Sequence, residues 1–101
     1  MSVIDEIAAE RQRQISAKGY DAGHDDMATR RQLALAAMGY VQAAVGANRD
    51  IASSLPAPRY WPWEEHYWKP TTPRRNLIKA AALIVAEIER LDRDELKGEQ
   101  G

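Results

Sequence analysis

The sequence contains no cysteine. That excludes a disulfide framework, thiol chemistry and any metal centre built on thiolates, and it suits a reducing compartment. Neither sign of charge dominates: 14 basic residues stand against 15 acidic ones, for a formal net charge of −1. A protein that holds nucleic acid in bulk carries a basic excess, so that class is set aside. Long apolar runs are also lacking. The most apolar stretch, LIKAAALIVAEI at 77–88, is short and interrupted by charge, too little to span a bilayer. Residues 2–18 are charged and amphipathic, unlike a secretory leader, so no membrane association is expected and the expected location is the cytoplasm. Internal repeats and alternating strand patterns are absent as well.

What remains is a chain of 101 residues, 45% hydrophobic, enough for one small core. Three helical segments stand out, so the expected class is all-α, with 1–96 as a single helical domain and 97–101 as a frayed tail. The first helix is predicted over about 3–18. Ser2 and Asp5 form a capping-box variant, Gly19 is a natural stop, and Ile4, Ile7, Ala8, Arg11 and Ile15 form an inward stripe. The second is predicted over roughly 29–47, with Leu33, Ala37, Tyr40, Val41, Ala44 and Val45 on one broad, alanine-rich face. Gly39 in its middle costs about 1 kcal/mol relative to alanine, which a tight crossing would explain. The third is the clearest. Thr72 caps it, Pro73 opens it, and it runs to about residue 95. Leu77, Ala81, Ile84, Ile88 and Leu91 alternate in steps of four and three, and Ile78, Ala82 and Val85 widen the stripe to nearly half the circumference. A helix like that sits at the centre of the fold, or packs on both a core and a second subunit. Alanine-rich helix faces on so small a chain point to a homo-oligomer.

Between the second and third helices lies a long connection with four of the five prolines and all three tryptophans. Its heart is YWPWEEHYWKP at 60–70. Disordered segments are poor in aromatics, so this loop is expected to be ordered, with a short helical turn that Pro62 would open. Together with ERQRQI (10–15), KGYDAGHDD (18–26) and RRNLIKAAALIVAEIERLDR (74–93), this block resembles small proteins of unassigned function encoded by tailed phages and prophages. The resemblance covers nearly the whole chain except about 46–58. It implies a phage-derived protein acting in a bacterial cytoplasm, and brings no mechanism with it.

Four groups of residues carry candidate chemistry. Trp61, Trp63 and Trp68 offer flat faces for stacking, and Lys69, Arg74 and Arg75 follow at a helix start, where free N–H groups and the macrodipole favour anions. That combination suits a small anionic, nucleotide-like ligand. Alternatively, the tryptophans fold inward as a lid on an undersized core. His24, Asp25 and Asp26 sit in a turn and suit either a divalent metal or helix capping. With His66 as the one other histidine, the chain lacks the set that HD-type phosphohydrolases need. Glu6, Glu10, Glu87, Glu89 and Asp92 invite comparison with all-α nucleotide pyrophosphohydrolases. EIAAE at 6–10 has the wrong spacing for their E-x-x-E, and Glu89 with Asp92 supplies E-x-x-D without its partner motif. Arg11, on the stripe of the first helix, is expected to pair with a carboxylate such as Asp25, Asp26 or Glu87.

Three function classes follow. One is a non-catalytic accessory protein that binds a small anion between the Trp loop and the third helix, for instance to sequester a host signalling nucleotide; it needs no cofactor. The second is a metal-dependent nucleotide hydrolase using Glu10, His24, Asp25, Asp26 and Glu87. The third is a module that grips a host protein with its tryptophans.

Overall fold

Local signals start the first and third helices where the sequence places them. In the computed structural model, which describes residues 2–18, 32–46 and 52–100, helix α1 spans Val3–Lys18, α2 Gln32–Gly46 and α3 Pro73–Gln100. The Ser2 amide donates to Asp5 Oδ2 at 3.2 Å and the Asp5 amide returns a bond to Ser2 Oγ at 3.1 Å, a reciprocal capping box at the start of α1. At the start of α3 the Arg75 amide donates to Thr72 Oγ1 at 3.2 Å, and Pro73 takes the first helical position, where its missing N–H costs nothing. Asn76 tightens this entry. Its Oδ1 accepts from the Thr71 amide at 2.7 Å, and it is completely buried. The third helix continues to Gln100, past the end near residue 95 suggested by the sequence.

The core is built by α2 and α3, with no strand among the described residues. Leu33, Ala36, Ala37, Tyr40 and Ala43 of α2 meet Ala80, Leu83 and Ala86 of α3. Five of these eight side chains are alanine, so the helices approach closely. Trp68 enters the same cluster from the connecting segment, with Leu55, Ala57, Trp61 and Trp63 packed around it. The architecture is a three-helix all-α bundle. Among the described residues no helix is long and apolar enough to cross a membrane.

Two faces differ from the sequence expectation. On α1 the expected stripe is only partly inward: Ile7, Arg11 and Ile15 are half-buried and Ile4 is 73% exposed, whereas Glu10 and Gln14 are buried. Periodicity in apolar residues cannot register a polar face whose partners come from a distant helix. On α3 the residues spaced in fours and threes point outward. Leu77, Ile84, Ile88 and Leu91 are about half exposed, while Ile78, Ala80, Ala82, Leu83 and Ala86 are buried. The expected helical turn in the aromatic segment is also displaced. It is a 3₁₀ turn at Glu65–Tyr67, preceded by an extended Glu64, rather than a helix opened by Pro62. The chain through 61–63 is committed instead to packing its tryptophans.

Candidate binding site

The aromatic segment is organised around Tyr40. Its ring stacks on Trp68 with centroids 4.8 Å apart and an interplanar angle of 23°. Trp61 meets Tyr40 edge-on at 5.7 Å and Trp68 at 5.0 Å, and Trp63 meets Trp61 edge-on at 5.5 Å. Such geometries align ring edges with ring faces and add to simple area burial. The polar tips are satisfied: Trp68 Nε1 donates to the Leu55 carbonyl at 2.8 Å, and Trp61 Nε1 to the Glu64 carbonyl at 3.2 Å. The Tyr40 hydroxyl accepts the Lys69 amide at 3.1 Å, and burial raises its pKa. Lys79 completes the hub. Its Nζ donates to the Lys69 carbonyl at 2.6 Å and lies 5.5 Å above the Tyr40 ring centre.

Gly39 is what admits these rings. A Cβ there would lie 3.2 Å from Trp68 Cζ3, 3.3 Å from Pro58 Cγ and 3.5 Å from Trp61 Cε3. The tight approach inferred from this mid-helix glycine is therefore made by the aromatic segment. Substituting Gly39→Ala should gain about 1 kcal/mol of helix propensity. Trp68 cannot yield, however, because its indole N–H and its stacking partner both hold it. Thermal unfolding of Gly39→Ala is expected at a lower temperature than wild type; a rise would show the aromatic cluster to be compliant.

Beside the tryptophans a cleft of about 380 Å³ opens between the second half of α2 and the Leu55–Arg59 stretch. Gly39, Ala43, Pro56, Pro58 and Trp68 line it, with Gln42 and Arg59 as polar residues. Its volume lies within the range usual for small-molecule sites. A 3₁₀ turn at Ala52–Ser54 leads into the Leu55–Arg59 stretch, and the Trp61 amide donates to the Pro58 carbonyl at 3.0 Å. The Tyr60 hydroxyl donates to Gln42 Oε1, which ties the chain just after Arg59 to α2. Sequence reasoning missed Gln42 and Arg59. The one signal for this place was Gly39, whose neighbours only the fold reveals.

The basic start of α3 is engaged from α1. Arg74 makes a two-pronged contact with Glu6, at 2.6 and 3.0 Å, and the bond holds the Glu6 carboxyl below its ordinary pKa and raises that of Arg74. Arg75 reaches Glu10. Glu10 also accepts from Arg13 twice at 2.7 Å and from Gln14 Nε2 at 3.0 Å. Burial pushes the Glu10 carboxyl up, but Arg13, Arg75 and Gln14 outweigh it and the net pKa is lowered. Lys69 is exposed, with its backbone rather than its side chain fixed by Tyr40.

Glu87 pairs with Arg90 at 2.6 Å, and Arg90 bridges on to Asp94 at 2.7 Å. Arg11 is paired with Glu89 at 3.3 Å. His24, Asp25 and Asp26 lie outside the described residues, and with them the Asp25 partner proposed for Arg11. Among the described residues no group of three or more His, Asp or Glu side chains is placed to hold a metal. The structure thus brings Trp61, Trp63 and Trp68 together and sets Glu10 between Arg13 and Arg75, while Glu87 serves Arg90. Comparison with family models, curated proteins and solved structures returned no match, so geometry alone carries the assignment.

Proposed function

We propose that this is a small non-catalytic binding protein, and that its ligand is a small, flat, anionic molecule of nucleotide type held in the cleft beside Trp68. The observation that carries this reading is the cleft itself. An apolar slot of ligand size, walled by proline and tryptophan, has a guanidinium and an amide among its lining groups. A planar apolar ring fits such a slot, and Arg59 supplies the charge for an anionic group. Arg74 and Arg75, the cations first associated with an anion, are balanced by Glu6 and Glu10, so the seat is placed at Arg59 instead. The resemblance to phage proteins supports an accessory role in a bacterial cytoplasm, where sequestering a host signalling nucleotide would be the use. A hydrolase reading draws no support from Glu10 and Glu87, because both carboxylates are occupied by arginines.

The test uses the intrinsic reporter that the site contains. Titrating the protein with mononucleotides and cyclic dinucleotides should change tryptophan emission, and Arg59→Ala should weaken the response by about tenfold or more, the worth of one charge-assisted contact. Arg74→Ala should leave it nearly unchanged. No response at roughly 1 mM ligand, a ceiling of about −4 kcal/mol in affinity, would defeat the proposal.

A further inference from the structure

The outward face of the bundle is apolar where a solitary small protein would be polar. On α3, Leu77 is 48% exposed, Ile84 44%, Ile88 51% and Leu91 45%. With Ala81 they follow the four-and-three spacing of a coiled-coil seam across two heptads. Beside this seam, α2 presents Met38, Val41 and Val45, exposed by 54%, 37% and 80%. The two stripes are continuous: Ile84 lines one shallow groove together with Met38, Val41 and Val45. Single exposed aliphatic residues are ordinary, but a contiguous band of this kind marks an interface.

We infer that this face binds a second copy of the same chain, with the two α3 helices antiparallel about a two-fold axis near Ile84. Three observations select that occupant. The first is spacing, since a four-and-three seam is the pattern by which two helices interlock side by side. The second is area. An aliphatic side chain offers roughly 60–120 Å² of apolar surface when fully exposed, so at the exposures seen the face offers roughly 215–430 Å². A standard interface hides about 800 Å² per partner, about two-thirds of it apolar in homodimers, and these seven side chains supply roughly two-fifths to four-fifths of that apolar share before the face's alanines and Tyr60 are counted.

The third is charge. The seam begins beside Arg74, which is exposed and paired with Glu6, and ends beside the exposed acids Asp92 and Glu95. A parallel pair would set acid against acid and align two helix dipoles. The antiparallel pair keeps the two acidic ends apart and opposes the dipoles. It also places Leu77 of one copy opposite Leu91 of the other, with Ile84 meeting its own symmetry mate.

The absence of cysteine makes the test clean. Sedimentation velocity on the full chain at roughly 0.1 mM, well above a micromolar Kd, should show twice the mass of one chain. Ile84→Glu should sediment as a monomer with unchanged helical circular dichroism. Under mild oxidation, Ile84→Cys should form a disulfide-linked dimer. Leu77→Cys alone should link poorly, whereas a mixture of Leu77→Cys and Leu91→Cys chains should give the mixed dimer. A monomeric wild type, or a dimer indifferent to Ile84→Glu, overturns the inference. Efficient self-linking of Leu77→Cys overturns the antiparallel arrangement.

Discussion

Replacing Glu10 with alanine should destabilise the fold by about 2–3 kcal/mol, measured by urea denaturation at neutral pH. The carboxylate is buried and accepts from Arg13, Arg75 and Gln14, so its loss strands two guanidinium groups at once. Breaking a fully buried pair typically costs 3–5 kcal/mol. Here Arg13 and Arg75 keep 40% and 35% of their side-chain surface in water, so partial rehydration reduces the loss. Glu10→Gln, which keeps the shape and one acceptor, should cost less. The same site sets the response to acid. Because the Glu10 pKa is lower in the folded than in the unfolded protein, its contribution is fully present above the ordinary glutamate value of about 4.3 and is lost as pH falls through the lower folded value. The midpoint temperature of wild type should therefore drop below about pH 4 more steeply than that of Glu10→Gln. Parallel curves for the two proteins would show that Glu10 is not the acid-labile group.

Trp68→Ala should be more damaging, about 3–5 kcal/mol, the usual range for removing a large aromatic side chain from a core. Three contributions disappear together: the stack on Tyr40, the edge contact with Trp61 and the bond to the Leu55 carbonyl. For a domain of this size that corresponds to a fall in midpoint temperature of roughly 15–30 °C. Trp63→Ala should cost clearly less, since Trp63 is only partly buried and packs at the edge of the cluster. Equal losses for the two variants would contradict the hub arrangement. The Trp68 variant also removes part of the cleft lining, so ligand binding should be tested on Arg59→Ala, which leaves the core intact.

Local chemistry made much of this fold legible. Ser2 with Asp5, and Thr72 with Pro73, announce helix starts because a cap is satisfied by residues three positions away. The choice between a tryptophan lid and a pocket wall was not legible, because it depends on how closely α2 can be approached. Gly39 settles that, and the answer combines the two: Trp61 and Trp68 close the core while Trp68 also lines a cleft. Misreading the buried side of α1 has a comparable cause. Glu10 and Gln14 look like solvent residues until Arg75 and the Lys79 carbonyl, 65 residues away in each case, are brought against them. Arg59 and Gln42 were likewise invisible as a pair, since a proline-rich turn and a helix meet there only in three dimensions.

The contacts on the two sides of α3 are made of different material. Toward α2 they are alanine, leucine and aromatic carbon. Toward α1 they include Arg74 on Glu6, Arg75 on Glu10 and Arg11 on Glu89, and no α1 residue belongs to the core cluster. Apolar contacts tolerate electrolyte and acid, while exposed and half-exposed ion pairs do not. The bundle is therefore graded: a durable two-helix body carries a latch held by charge. Amide protons of α1 should exchange ahead of those of α2 and α3, and salt or acid should loosen that helix while the aromatic cluster stays closed.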